Sequence, residues 1–266
     1  MKKLPYIFLI GLFVLSFGLS MIPSLSTTTF DPLLAGQPQA PCMSHPFGTD
    51  DLGRDVLLRS LAGAKISLLV GITSIAISTL IGLGMGLLCG YCKGWLDSIL
   101  MRLIDILMAL PTLFLILIIQ SLWKPSIWNV VMVIGFTGWM GTTRLVRAEV
   151  LSIKQRPFIL AAKARGFSSL RVLFKHVLPH TLSPVIVSAT LGVGYAILTE
   201  SVLSFLGLGV QPPFASWGNM LERSVPLMNE APWMSIVPGV LITLTVLSLH
   251  IIGDQLRARL NRKEHY

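Results

Sequence analysis

Six stretches of the sequence are apolar and almost free of Asp, Glu, Lys and Arg. A helix needs about 20 such residues to cross a bilayer. A soluble fold is excluded because 53% of the 266 residues are hydrophobic and only 12% are charged, and such a surface would aggregate in water. The sequence predicts an all-α membrane protein with six transmembrane helices, at 4–30 (apolar core 5–22), 66–92, 106–123, 125–143, from about 184 within 176–210, and 231–253.

The first stretch follows Lys2 and Lys3, as the apolar run of a secretory signal does. The run is longer than that of a signal, and no clean small-x-small cleavage site follows within a few residues. We predict that this helix is retained, and a cleaved signal is the alternative.

The distribution of basic residues orients the helices, because cytoplasmic loops are enriched in Lys and Arg. With both termini in the cytoplasm, sixteen of the 21 basic residues fall on the cytoplasmic side. The five on the outer side are Arg54, Arg59, Lys65, Lys124 and Arg223. The prediction divides the chain into a first helix with an outer loop (1–65), a core of five helices (66–255), and a cytoplasmic tail (256–266). The core includes a long basic cytoplasmic loop at about 144–183.

This cytoplasmic loop predicts a short helix followed by a glycine turn. Pro157 suits the first helical position, where its missing N–H costs nothing. Gly166 is suited to end the helix in a left-handed turn. The small side chains of Ala161 and Ala162 would let a partner surface approach closely. A basic helix lying on anionic lipid is the alternative interpretation.

A second short helix is predicted over 169–177, with Ser168 as its N-cap. We expect Pro179 and Pro184 to break or kink the chain as it enters the fifth span.

The cytoplasmic loop also carries a resemblance to a known family. Leu160, Ala161 and Ala162, followed by Gly166 and by Leu178–Pro179, resemble the EAA loop of ABC importer permeases at the spacing of that family. Two positions depart from it, since Leu160 stands where the family has Glu and His176 fills an apolar position. Seven more segments resemble the "C"-type permease of the dipeptide, oligopeptide and nickel group, at 45–56, 63–71, 102–111, 144–150, 203–213, 216–220 and 253–257.

The resemblance implies the ABC type I importer fold and a permease subunit in the bacterial inner membrane. It implies a path for di- and oligopeptides that is formed with a homologous permease and worked by alternating access. It also implies two cytoplasmic ATPase subunits and an extracytoplasmic solute-binding protein as partners. Nickel or a metal chelate is the alternative cargo. The coupling to the ATPase subunits would fall to Leu160, Ala161, Ala162, Gly166, His176, Leu178 and Pro179.

The sequence contains no G-x-x-x-x-G-K-[S/T] phosphate loop. We therefore expect the chain not to be an enzyme and to bind no cofactor, with ATP and Mg²⁺ held by the partner ATPase subunits. The lipid bilayer is the other expected partner, and no binding of nucleic acid is expected.

Ionisable groups within the spans are candidates for function, because they are costly in lipid. Glu200 could line the path or contact the partner permease, and a hydrogen-bonded structural role is an equal alternative. Asp105 is a second candidate, although pairing with a nearby arginine is favoured. Gly82, Gly86 and Gly90 recur every four residues and predict a face for close helix packing.

No metal site is predicted. Cys89 and Cys92 have C-x-x-C spacing but no second pair of ligands nearby in sequence. His176 and His180 are separated by Pro179, and Cys42 with His45 does not complete a coordination shell. An intramembrane protease is disfavoured because no Ser–His or paired-Asp set occurs in the spans, and a channel would not need the helix–glycine–helix loop.

Overall fold

A computed structural model describes residues 3–19, 36–92 and 94–263, and within these ranges the chain forms helices and no β-strand. This confirms the predicted all-α class. The helices are α1 (Leu4–Leu19), α2 (Val56–Cys92), α3 (Trp95–Ala109), α4 (Thr112–Ser121), α5 (Ile127–Ile153), α6 (Pro157–Ala164), α7 (Ser169–Val172), α8 (Leu178–Phe205), α9 (Trp217–Ser224) and α10 (Trp233–Lys263). A π-helical turn joins α7 to α8 at Leu173–Val177, and a 3₁₀ turn, Val225–Leu227, follows α9.

Three helical runs among the described residues are long and apolar enough to cross a membrane. They are α2, the run Ser169–Phe205 that contains α7 and α8, and α10. The bent pair α3 and α4 makes a fourth if it counts as one span. The predicted spans 66–92, 106–123, 125–143, from about 184, and 231–253 each overlap a helix or this pair. Of the first predicted span, 4–30, residues 4–19 form α1, and residues 20–30 lie outside the described residues.

The start of the second predicted span was wrong. Helix α2 begins at Val56 instead of residue 66, so that Arg59 and Lys65 belong to the helix and not to a loop. The Asp55 carboxylate accepts a hydrogen bond of 3.0 Å from the backbone N–H of Leu58, which caps the first turn. Arg59 is tolerated there because its Nε lies 3.4 Å from the Asp50 carboxylate.

The third predicted span is broken in the middle. Helices α3 and α4 meet at an angle of 85°, and Leu110 between them has extended backbone. The cause is Pro111, which has no N–H to donate and disfavours helical backbone at the residue before it.

The glycine face of α2 packs against α5, as predicted. A β-carbon on Gly82, Gly86 or Gly90 would come within 2.5–2.7 Å of a β-carbon on α5, namely that of Thr142, Val146 or Val150. The two helices therefore approach each other as closely as the absence of a side chain permits.

The second short helix predicted for the cytoplasmic loop is not separate. Helix α7, the π turn and α8 continue into one another, so that Pro179 and Pro184 do not break the chain. Pro179 is the second residue of α8 and directly follows the π turn. The π turn, in which Leu178 donates its backbone N–H to the carbonyl of Leu173, makes the junction.

The bundle has two distinct ends. At the basic end, the carboxyl ends of α2 and α5 meet α6, and Lys154 Nζ donates to the carbonyl oxygens of Gly90 and Tyr91 at 3.2 and 2.8 Å. At the cap end, residues 36–55 and α9 cover the amino ends of α2 and α10. There the indole nitrogen of Trp233 donates to the carbonyl of Thr49 at 3.1 Å.

Candidate functional site: a helix–glycine–helix segment and a buried carboxylate

The helix–glycine–helix segment, residues 157–177, is a well-defined turn at the basic end. Gly166 has a φ of 78° and lies just beyond α6. Its N–H donates to the carbonyl of Lys163 at 2.9 Å, and the N–H of Phe167 donates to that of Ala162 at 3.2 Å. This pair of bonds is the Schellman ending, and it confirms the predicted left-handed turn. Ser168 takes the N-cap position of α7, but the predicted side-chain cap is absent.

The inner face of the segment belongs to the protein core. Ile159, Ala162, Val172 and Val177 are buried in one cluster with residues of α5 and α8 that include Val185. Ala162 is therefore not available to a partner surface, contrary to the prediction, because it is only 6% exposed. The spacing of the apolar residues 159 and 162 could have indicated this, since residues three apart share a helix face.

The outer face of the segment is apolar and uncovered in the single chain. Ala161 and Leu160 are exposed, the latter by 54%. Phe158, Leu170 and Phe174 are exposed beside them. An uncovered apolar surface of this kind is typical of contact with a partner protein or with the membrane surface.

His176 lies inside the bend of the segment. Its ring stacks on the Phe167 ring at 6.2 Å between centroids. The Phe167 ring also contacts the guanidinium of Arg171, at 5.5 Å from the centroid. The carbonyl of His176 is hydrogen-bonded to Nδ1 of His180 at 2.7 Å. These contacts hold the segment in shape. Leu178 packs against the buried cluster, and Pro179 is exposed.

Two ion pairs tie α3 to α5 near the basic end. Arg147 donates from Nε and Nη2 to the two oxygens of Asp97, at 2.6 and 2.8 Å. Asp105 forms an ion pair with Arg144, and both side chains are exposed, by 63% and 42%. The pairing of Asp105 with an arginine agrees with the interpretation that the sequence favoured.

Glu200 lies at the cap end of α8 and is completely buried. Ser67 of α2 donates its hydroxyl to Oε2 at 3.0 Å, and Ser204 of α8 donates to Oε1 at 2.7 Å. Each hydroxyl also accepts a backbone N–H, that of Trp217 at Ser67 (3.4 Å) and that of Val210 at Ser204 (3.0 Å). The carboxylate thus has the hydrogen-bonded structural setting that was the alternative to lining a path.

The segment between α8 and α9, residues 206–216, is called the strap here. Val210, one of the two N–H donors, lies in the strap, and Trp217, the other, directly follows it. The side-chain amide of Asn219 donates to the carbonyls of Val210 and Phe214 at 3.0 and 2.9 Å. Gln120 of α4, also buried, donates to the carbonyl of Leu208 at 2.8 Å. The sequence analysis did not single out Gln120 or Asn219; the capping box between Ser216 and Asn219 was a signal for the latter.

The cysteine and histidine candidates do not converge. No group of three His, Cys, Asp or Glu side chains that could hold a metal occurs among the described residues. His45 pairs with Asp55 at 2.9 Å, and the Cys42 sulfur lies 3.1 Å from the hydroxyl of Ser44. Cys89 is buried and Cys92 is exposed.

The described residues form a bundle of helices, several of them long and apolar enough to span a membrane, with an exposed apolar face at the basic end. These features define the chain as a helical membrane protein. The chain belongs to the family of binding-protein-dependent transport system inner membrane components, whose family model matches residues 82–265.

Curated relatives and solved structures are similar to the chain. A dipeptide transport system permease protein of Alkalihalophilus pseudofirmus is 42% identical over 225 residues, 85% of this chain and 74% of the relative. The corresponding Bacillus subtilis protein is 41% identical over 258 residues, 95% of this chain and 81% of the relative. An oligopeptide transport system permease protein of Bacillus subtilis is 38% identical over 223 residues, 84% and 73% of the two chains. The fold matches a chain of the MetNI methionine ABC transporter in an inward-facing conformation, with a TM-score of 0.61 and 19% identity, over 74% of this chain and 94% of that one.

Proposed function

We propose that the chain is the permease subunit of an ATP-driven importer of di- and oligopeptides, working by alternating access with a homologous permease. The observation that carries this proposal is the uncovered apolar face of the helix–glycine–helix segment, mounted on a well-defined turn at the basic end. The peptide cargo is proposed from the printed names of the relatives, which are dipeptide and oligopeptide permeases.

The proposed topology has six spans, both termini in the cytoplasm, and a place in the bacterial inner membrane. The basic end would face the cytoplasm, in line with the loop distribution of Lys and Arg. Lys163, Arg165, Arg171 and Lys175 all lie within the helix–glycine–helix segment and support this orientation.

The proposed partners are two cytoplasmic ATPase subunits on the exposed face of Leu160 and Ala161, the second permease, and an extracytoplasmic solute-binding protein. ATP and Mg²⁺ would be held by the ATPase subunits. Asp105 is retained as a residue of the permease interface, since it lies with exposed apolar residues of α3 such as Leu103 and Ile106. A path-lining role for Glu200 has no such support, because its carboxylate is enclosed by hydroxyl groups of its own chain.

The experiment compares uptake of a radiolabelled dipeptide with uptake of radiolabelled nickel in cells that lack the chain. We expect loss of peptide uptake with normal nickel uptake, and its recovery when the wild-type chain is supplied. A variant with Leu160→Arg should be made and inserted normally but should not restore uptake. Loss of nickel uptake alone would overturn the peptide proposal in favour of a metal cargo.

A further inference from the structure

Glu200 is linked by hydrogen bonds, through the Ser204 hydroxyl, to the strap at the cap end of the bundle. We propose that Glu200 is a positioning residue that fastens the strap to the carboxyl end of α8. The helix–glycine–helix segment lies at the opposite end of the same helical run, so that motion imposed at the basic end reaches the cap end. The transport step of this inference rests on the proposed function, and the structural step does not.

The clamp has two arms, and each uses one oxygen of the carboxylate. One arm runs from Oε1 through the Ser204 hydroxyl to the N–H of Val210, within the strap. The other runs from Oε2 through the Ser67 hydroxyl to the N–H of Trp217, which directly follows the strap. A serine hydroxyl can donate to the carboxylate and still accept a backbone N–H with its lone pairs.

The two serine hydroxyl donors at this position fit a side chain with two accepting oxygens. Both oxygens of a carboxylate accept, whereas glutamine offers one acceptor and one donor group. Aspartate is one methylene shorter and cannot keep both contacts in place. An ionisable group in a spanning bundle is costly, and its presence there indicates a specific role.

The helix that carries the clamp begins in the proposed ATPase-docking segment. The run Ser169–Phe205 is 37 residues long, or roughly 55 Å at 1.5 Å per residue. Leu170 is exposed at its first turn, and Glu200 lies in its last two turns. No loop interrupts the run, which gives a displacement at one end a continuous helical path to the other.

The strap also reaches α4, which packs against α5 through the buried Ile116. Helix α4 has a largely exposed apolar face, including Phe114 and Ile118. Gln120 connects it to the strap at Leu208. The strap therefore joins α2, α4 and α8 at the cap end, and the clamp determines whether these three helices move together.

The test uses the complete transporter, reconstituted in lipid nanodiscs and followed by hydrogen exchange. The variants are Glu200→Gln, Ser67→Ala and Ser204→Ala, with Ser74→Ala as the control. Ser74 is a buried serine of the same helix α2, and its hydroxyl donates to the carbonyl of Val131 outside the clamp.

In the resting complex, we expect exchange at Trp217 to rise about fivefold in Ser67→Ala, and exchange at Val210 to rise about fivefold in Ser204→Ala, the change that loss of one hydrogen bond produces. In the wild-type complex, trapping with ATP and vanadate should change exchange across the strap. Glu200→Gln should abolish that change, and Ser74→Ala should keep it. A trapping response that survives in Glu200→Gln, or a wild type without a response, would overturn the proposal.

A second readout separates the clamp from a general folding defect. The number of ATP molecules hydrolysed per dipeptide imported should rise at least twofold in Glu200→Gln and stay unchanged in Ser74→Ala. A merely structural defect would lower both rates together and leave the ratio unchanged, which would contradict the proposal. A wild-type complex that imports no dipeptide would refute the proposed cargo, while the vanadate response would still decide the role of Glu200.

Discussion

A β-carbon placed on Gly86 would lie 2.5 Å from the β-carbon of Val146, closer than real side chains pack. We predict that Gly86→Ala forces α2 and α5 apart and destabilises the protein by about 1–3 kcal/mol, the usual cost of overpacking. The unfolding temperature in detergent measures this. Gly84→Ala is the matched control on α2, since nothing lies within 4 Å of its added β-carbon. Equal unfolding temperatures of the two variants would contradict the predicted contact.

The turn at Gly166 should depend on its positive φ of 78°. An alanine there meets no neighbouring atom, but the left-handed backbone costs it about 1–2 kcal/mol. We therefore expect Gly166→Ala to distort the helix–glycine–helix segment, to reduce co-purification of the ATPase subunits and to abolish ATP-coupled uptake. Gly239→Ala, at an open position with ordinary backbone on α10, should leave both unchanged. Unchanged uptake in Gly166→Ala would contradict the proposed coupling role.

Neighbouring positions of α6 should respond in opposite ways. Leu160→Arg changes an exposed side chain, so the thermal stability of the isolated chain should stay the same while binding of the ATPase subunits is lost. Ala162→Leu adds volume to a buried site and should lower stability by about 1–3 kcal/mol. Melting curves and pull-down of the ATPase subunits distinguish the two effects. A Leu160→Arg chain that still binds them would show that the docking face lies elsewhere.

The bidentate ion pair of Arg147 and Asp97 should contribute more to the stability of the protein than its partial exposure suggests. We expect Arg147→Met to cost about 1.5–3 kcal/mol, the range for hydrogen bonds to charged groups, because it removes one of the two ion pairs between α3 and α5 and takes the bidentate partner from the Asp97 carboxylate. The exchanged pair, Asp97→Arg with Arg147→Asp, should recover part of this loss. Unfolding temperatures of the single and double variants measure the coupling, and additive losses would refute it.

The thiol of Cys42 provides a test of orientation. A hydrogen bond from Ser44 lowers the pKa of this exposed thiol below its ordinary value, so the thiolate that reacts is more abundant near neutral pH. A membrane-impermeant maleimide should label Cys42 in intact cells but not Cys92, which is exposed near the basic end.

Ser44→Ala should raise the pKa of the Cys42 thiol, shift the pH dependence of labelling upward and slow the reaction at neutral pH. Labelling of Cys92 from outside, with Cys42 protected, would contradict the proposed topology and support the opposite orientation.

The sequence predicted features whose cause is local. Pro157 and Gly166 determine where α6 begins and ends, and the four-residue spacing of Gly82, Gly86 and Gly90 determined which face of α2 meets α5. Each of these depends on the backbone preference or the size of a single residue, which can be seen without knowing the fold.

Features that depend on distant partners were missed. The clamp at Glu200 joins Ser67 to a position 133 residues away, and no periodic pattern in either helix marks that pairing. The early start of α2 was missed because the stretch free of charged residues begins only after Lys65, whereas Asp50 compensates the charge of Arg59 within the helix. The break at Pro111 was missed because hydropathy alone treats residues 106–123 as one continuous span.

The break between α3 and α4 also limits what can lie beside it. The last carbonyls of α3 and the first N–H groups of α4 have no partner along a continuous helix, and acyl chains offer them none. Lipid is therefore an unsuitable neighbour for the stretch around Leu110 and Pro111. In the assembled membrane complex, this corner must be bordered by water or by protein, and the bilayer must begin on another side of the bundle.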